Sequence, residues 1–275
     1  MKVFTNFLEP YWFEDHLTNY KDKPVSIFYE YQPTPDELKL NLYNILIVNE
    51  PNELFRSHEY AIQNRNKFNL ILSWAELVLI YCKNSKLLPF GSSWVAQGNI
   101  DKFWNVDKQF EISFLRGTKK NIIGQQLRWD VYDSKNEIEK ILPIKFFDVL
   151  NDTVEGRKLD VSEKDIVWNS SMYSIVIENV KHSNWFTEKI IDSFLTNTIL
   201  IYWGASNIGH YFNTNGIIEF YNTYDLMQQL QTLTPEKYHE LESVRTQNYK
   251  LALEWGKYFE RATTIIKAFI DINKL

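Results

Sequence analysis

The chain has 275 residues, 44% hydrophobic content and a formal net charge of −5. That length is enough for a sizeable core in one large domain or two small ones, and the evenly mixed charge excludes a disordered chain. No long Lys/Arg block interrupts the acidic balance, so nucleic acid is not an expected partner, although a local basic pocket for a phosphorylated small molecule is compatible with it.

The N-terminal stretch MKVFTNFLEPYWFEDH carries acids and lacks an apolar h-region, so no signal peptide is expected. Three runs rich in β-branched and aromatic residues then read as strands: Val25–Tyr31, Tyr43–Asn49 and Phe68–Trp74. Cys82 is the single cysteine, which rules out an intramolecular disulfide or a cysteine metal cluster. Together these features lead us to expect a reducing, cytoplasmic setting. The polar segment Ala96–Gln109 is the best boundary, giving expected domains 1–106 and 107–275.

Phe110–Leu115 is the next strand, followed by a polar turn and a helix. KILPIKFFDVL, the strand YSIVIE, the strand TILIYWG and the short strand Gly216–Phe220 come after it. Between them, Lys189–Leu195 has apolar residues at helical spacing behind Thr187. Thr234 as N-cap, Pro235 at the first helical position and Glu236 at the positive end open another helix, and the tail EWGKYFERATTIIKAFIDINKL reads as a further amphipathic one. Strands alternating with helices indicate an α/β protein with mainly parallel sheets. There is no internal repeat, and no apolar run approaches the ~20 residues of a membrane span. Most of the nine Trp will be core, though sugar-binding clefts also use aromatic faces.

In open parallel sheets, ligands bind beyond the carboxyl ends of strands, where the next helix begins. Glu178 and Asn179 end one strand, and Thr187, Glu188 and Lys189 begin the helix that follows. Exposed N–H groups at that helix start favour an anion, and Lys189 adds a full positive charge. Glu188 offers the paired acceptors that suit two ribose hydroxyls. The bland account is equally simple: Thr187 caps a helix, Glu188 favours its N-terminus and Lys189 is solvated.

The ordered block IENVKHSNWFTEKIIDSFLTNTILIYWG resembles the donor-binding signature of glycosyltransferase family ten, the α1,3/α1,4-fucosyltransferases, with Leu200 where that family usually has Pro. ASNIGHYFNTNGIIEF continues the likeness. Upstream, VNEPNELF and LLPFG are similar to the family's acceptor-side segment, and Glu50 falls on its general base, with Glu53 a turn away as the alternative. In FEISFLRGTKKNIIGQQLRWDVY, Ser113 matches the family's strand Ser, but Phe114 replaces an Asn. Lys120 stands where an Arg contacts the donor diphosphate. Lysine neutralises phosphate as a point charge without the bidentate fork of Arg, and Arg116 and Arg128 could compensate. The resemblance covers roughly residues 43–225 and is strongest over about 173–220.

What the resemblance implies is a GT-B-type fold, two Rossmann-like domains facing a central cleft. The first would bind an acceptor glycan, and the second, with its C-terminal helices, the nucleotide sugar. The implied reaction moves L-fucose from GDP-fucose, as co-substrate, to an acceptor hydroxyl with inversion, with no essential metal or other cofactor. Lys120, Arg128, Glu178, Asn179, Thr187, Glu188, Lys189 and Tyr202 would hold the donor. The alternatives are the same fold with a different nucleotide sugar, or a non-catalytic carbohydrate-binding protein. A transmembrane segment is not expected, though peripheral membrane association remains open. Asp130 and Asp133 resemble a metal-binding acid pair but read more simply as a polar surface turn, and His182 lies in the signature loop. No Gly-x-Ser-x-Gly or P-loop pattern occurs, which removes the commonest hydrolase and NTPase readings.

Overall fold

The computed structural model describes residues 1–6, 11–95, 100–147 and 166–275. These residues form two compact units, each built on its own parallel five-stranded sheet.

The first unit comprises Met1–Phe90, Ser183–Trp185 and Lys257–Leu275. Its strands β1 (Lys2–Thr5), β2 (Val25–Tyr29), β3 (Tyr43–Val48), β4 (Leu70–Ser73) and β5 (Ser85–Leu87) lie side by side in that order. Alternation along the strands puts Val25, Ile27, Tyr29, Ile45, Ile47, Leu70 and Leu72 on one face. The last helix, Tyr258–Ile272, covers that face with Tyr258, Ala262, Ile266 and Ile270, all fully or almost fully buried. Their spacing of four residues makes the apolar stripe that the tail sequence displays.

The second unit comprises Gly91–His182 and Phe186–Gly256. Its strands are β6 (Gln109–Leu115), β7 (Ile144–Phe147), β8 (Ser171–Ile177), β9 (Ile199–Trp203) and β10 (Ile217–Glu219), in the order β10-β9-β8-β6-β7. Every residue of β8 and β9 is buried, as expected of central parallel strands covered on both faces. One face packs Ile112, Phe114, Ile175, Ile177, Ile199 and Ile201 against Val131, Leu226 and Leu230. The other packs Val176, Leu200 and Tyr202 against Ile190, Ile191, Phe194 and Ala252.

The α/β class with parallel sheets is as expected, and the strands read from the sequence are present with ends moved by a few residues. Two strands escaped the reading. β1 has only four residues and is partly exposed, and β5 is a three-residue edge strand with two exposed side chains, so neither carries a buried apolar run. The division of the chain also differs from a cut at 106. It falls after Phe90, and the final helix belongs with the first sheet. The proposed boundary segment Ala96–Gln109 lies partly outside the described residues, as does the end of KILPIKFFDVL.

What brings the chain into the second unit so early is a buried carboxylate. Asp192, on the helix Glu188–Leu195, accepts from Ser93 Oγ at 2.7 Å and from the backbone N–H of Trp94 at 3.1 Å. Gly91 lies against the Phe186 ring and the carbonyl of Trp255, where an added Cβ would meet atoms at 2.6 and 2.7 Å. Burial pushes Asp192 from 3.8 up to about 7, against the hydrogen bonds that favour its charged form. The folded state therefore holds a proton that the unfolded chain releases, so this group's contribution to stability declines as pH rises from about 4 to about 7. The gap corresponds to roughly 4 kcal/mol at most. Urea unfolding across that window should show Asp192→Asn with a flatter pH dependence than the parent; an unchanged slope would contradict the assignment.

Candidate active site

In the second sheet the chain runs from β6 outward to β7, then returns to β8 on the other side of β6 and continues to β9 and β10. The strand order thus reverses between β6 and β8. Right-handed crossovers in opposite directions put the connecting helices on opposite faces, which leaves a crevice at the carboxyl ends of these two strands. The helix Ile123–Asp133 follows β6 and the helix Glu188–Leu195 follows β8. Glu178, Asn179, Thr187, Glu188, Lys189 and Arg128 all fall at this place.

Glu178 is the centre of the group. Its backbone N–H prolongs the ladder to the Trp203 carbonyl at 2.9 Å, so it is fixed by the sheet. Its carboxylate is fully buried. One oxygen accepts the backbone N–H of Thr187 at 2.8 Å, and the other accepts the Thr187 hydroxyl at 2.8 Å. Thr187 is the N-cap of the following helix, its Oγ1 accepting from the Lys189 N–H at 3.4 Å. The cap is therefore real, but it is itself oriented by the end of the preceding strand.

Lys189 completes the set. Its ammonium donates to Thr187 Oγ1 and to Glu188 Oε1, each at 3.0 Å, and lies 3.7 Å from Glu178 Oε2. Burial raises the Glu178 carboxyl above its ordinary range despite Lys189 beside it. Burial alone would weaken the Lys189 cation, but Glu188 and Glu178 together outweigh it and hold its pKa up. The side chain retains 18% exposure, so it is within reach of a ligand.

Arg128 reaches the same place from the other helix. It donates to the Ile177 carbonyl at 3.2 Å and to Asn179 Oδ1 at 2.8 Å. Burial lowers it to about 10, opposed by Glu178 and Glu188, so it remains a cation at neutral pH. Gly124 allows this approach: its N–H donates to the Asn179 carbonyl at 3.0 Å, and a Cβ there would sit 1.8 Å from the Glu178 carbonyl oxygen. Tyr202 is fully buried and accepts the Ala205 N–H at 2.9 Å, and a Cβ on Gly204 would collide with its hydroxyl at 2.2 Å and with Glu178 Cγ at 2.7 Å. The Tyr-Trp-Gly ending thus supports Glu178 from beneath.

Lys120 lies in the segment between β6 and the helix Ile123–Asp133. Its ammonium lies 3.5 Å from the centre of the Trp129 ring, and the Arg116 guanidinium lies 3.7 Å from the same centre. Two cations that close to one ring must occupy its opposite faces. Arg116 is almost fully buried in this stack, whereas Lys120 is exposed.

In the first unit, Glu50 follows β3 at the carboxyl edge of the sheet. Glu30, unremarked in the sequence, follows β2 and accepts the backbone N–H of both Asn49 and Glu50, the latter at 2.6 Å. Nothing in the run VSIFYEY marks Glu30 as special, because its role comes from a backbone turn that Glu seldom adopts. Burial raises its carboxyl above the ordinary range. Next to it is a cavity of about 320 Å³ whose lining includes Tyr31, Gln32, Phe55, Ser57 and Tyr60. Glu53 is exposed on the short helix Asn52–Phe55 and His182 is exposed in its loop. Asp130 and Asp133 sit in the helix Ile123–Asp133, not in a surface turn. Among the described residues, no three His, Cys, Asp or Glu side chains converge as a metal centre would require, and no helix is long and apolar enough to cross a membrane.

No family model matches the sequence, and no curated protein sequence does. The fold, by contrast, has solved counterparts. It is similar to an α1,3-fucosyltransferase with 14% identity, 94% of this chain and 89% of that one covered and a TM-score of 0.57. An α1,3-fucosyltransferase with GDP-fucose gives 14% identity, coverage of 86% and 78% and a TM-score of 0.51. HepE from Anabaena in complex with UDP gives 10% identity, coverage of 97% and 82% and a TM-score of 0.53. The chain has the GT-B fold of these glycosyltransferases.

The hydroxyl of Thr187 can be tested directly. Thr187→Val deprives a buried carboxylate oxygen of its donor and should cost about 1–3 kcal/mol in urea unfolding, whereas Thr187→Ser should lose well under half of that. A loss in Thr187→Ser with none in Thr187→Val would show that the methyl group, not the hydrogen bond, matters.

Proposed function

We propose that the protein is an inverting glycosyltransferase that moves L-fucose from GDP-fucose to a hydroxyl of an acceptor glycan. The observation that carries this reading is the group of Glu178, Thr187, Glu188 and Lys189 at the switch point between β6 and β8, in a chain with the fold of a fucosyltransferase. Solved relatives in that fold were obtained with GDP-fucose or UDP.

As it stands, the group is charge-balanced: two carboxylates, Glu178 and Glu188, face two cations, Lys189 and Arg128. A diphosphate would draw the Lys189 ammonium from Glu188, freeing the Glu188 carboxylate for the ribose hydroxyls. As the sugar leaves, charge grows on the diphosphate, and Lys189 with the start of its helix stabilises it there. Glu178 is too buried and too fully engaged to touch substrate. Its part is to hold Thr187, and so the helix start, in place. Asn179 and Arg128 brace the same strand end, and Tyr202 supports it from the core.

Glu50 is the carboxylate that takes the proton from the acceptor hydroxyl, a role that rests on its resemblance to the family's base. The cavity beside Glu30 pairs aromatic faces with an amide and a hydroxyl, a chemistry that suits a sugar ring and makes it a candidate acceptor subsite. A different nucleotide sugar is the second reading. It is favoured by Lys120, which stands where the resembled family has a diphosphate-binding Arg and lacks the bidentate fork.

A panel of nucleotide sugars and simple acceptor glycans, followed by release of the nucleotide, tests both readings. GDP-fucose should be the donor that turns over, and Lys189→Ala and Glu50→Ala should each lower kcat by at least about 100-fold in folded protein. Turnover with another donor alone would select the second reading. Normal turnover in either variant would remove the role given to that residue.

A further inference from the structure

We infer that Glu30 is a positioning residue for Glu50, fixing the backbone from which the base acts; this rests on the reading of Glu50 as general base. Four hydrogen bonds fix Asn49 and Glu50. Glu30 Oε1 accepts the N–H of both residues. The Trp74 indole N–H donates to the Asn49 carbonyl at 2.5 Å. The Asn49 side chain, itself buried, donates to the Tyr29 hydroxyl at 3.1 Å. A residue that merely ended a strand would need none of these.

The conformation of Glu30 points the same way. Its φ is +46°, in the left-handed region that Gly or Asn usually fills. A long acidic side chain is costly there, and its carboxylate is carried out of water as well. Both costs are offset by hydrogen bonds that two consecutive N–H groups donate to a charged acceptor, the strong kind. The backbone N–H of Glu30 still donates to the Ile47 carbonyl at 2.9 Å, so the turn is anchored to β3 at both ends. The end of β2 thus fixes the residue that follows β3. A base acts only from hydrogen-bonding distance, so a shift of about 1 Å in that loop reduces turnover without affecting how the donor is held.

Glu30→Gln keeps an oxygen that accepts both N–H groups, and Glu30→Met keeps the length without an acceptor. Steady-state kinetics with the full chain, at saturating donor and acceptor, should give Glu30→Met a kcat at least ten-fold lower. Both KM values should stay within about three-fold of the parent, and Glu30→Gln should recover most of the loss. A higher acceptor KM with kcat retained would overturn the inference and make Glu30 part of the cavity wall. Equal losses in the Gln and Met variants would overturn it too. If Glu30→Met does not fold, Trp74→Phe carries the test, because it removes the donor to the Asn49 carbonyl. A lower kcat supports the inference, and an unchanged kcat contradicts it. Glu50→Ala, run alongside, separates the two claims: full activity there refutes the base, whatever Glu30 does.

Discussion

The buried carboxylate of Glu178 is the constraint on which the second unit's site depends. It lies at the end of the central strand β8, tied through its N–H to β9 and through both oxygens to Thr187. A charge with no exposure is tolerable only with several strong partners, and these partners are what orient the next helix. Lys189 is then presented by that helix rather than by a free loop. Glycines at 124 and 204 follow from the same constraint, since each gives way to backbone or side chain packed on Glu178.

The first unit uses the same device at another strand end. Glu30 accepts two successive N–H groups beyond β3, much as Glu178 accepts the N–H and hydroxyl of Thr187. In both, an acid at the carboxyl end of one parallel strand fixes the segment that follows an element nearby. Asp192, on a helix rather than a strand end, likewise fixes the segment 93–95. Buried carboxylates, and not only apolar contacts, thus determine where the functional loops lie.

Much of this was legible in the sequence. The ordered run from Glu178 to Gly204 named the strand end, the cap and the helix start, and the structure brings Glu178, Asn179, Thr187, Glu188, Lys189 and Arg128 together. What the sequence could not show was division of labour. Glu178 and Tyr202, expected at the donor, are both almost fully buried, which spacing cannot reveal because it reports position and not exposure. Nor could it show that Lys120, expected to meet phosphate, also lies over the ring of Trp129 on the helix that follows. Glu30 was invisible because its role depends on a positive φ that no residue preference would suggest.

Nucleotide affinity is the most direct test of the account. Titration calorimetry with GDP should give one site per chain, and Lys189→Ala should weaken it at least ten-fold while leaving the melting temperature within a few degrees. Absence of binding by GDP, UDP or any other nucleoside diphosphate to the folded protein would contradict the donor site at the β6–β8 switch point.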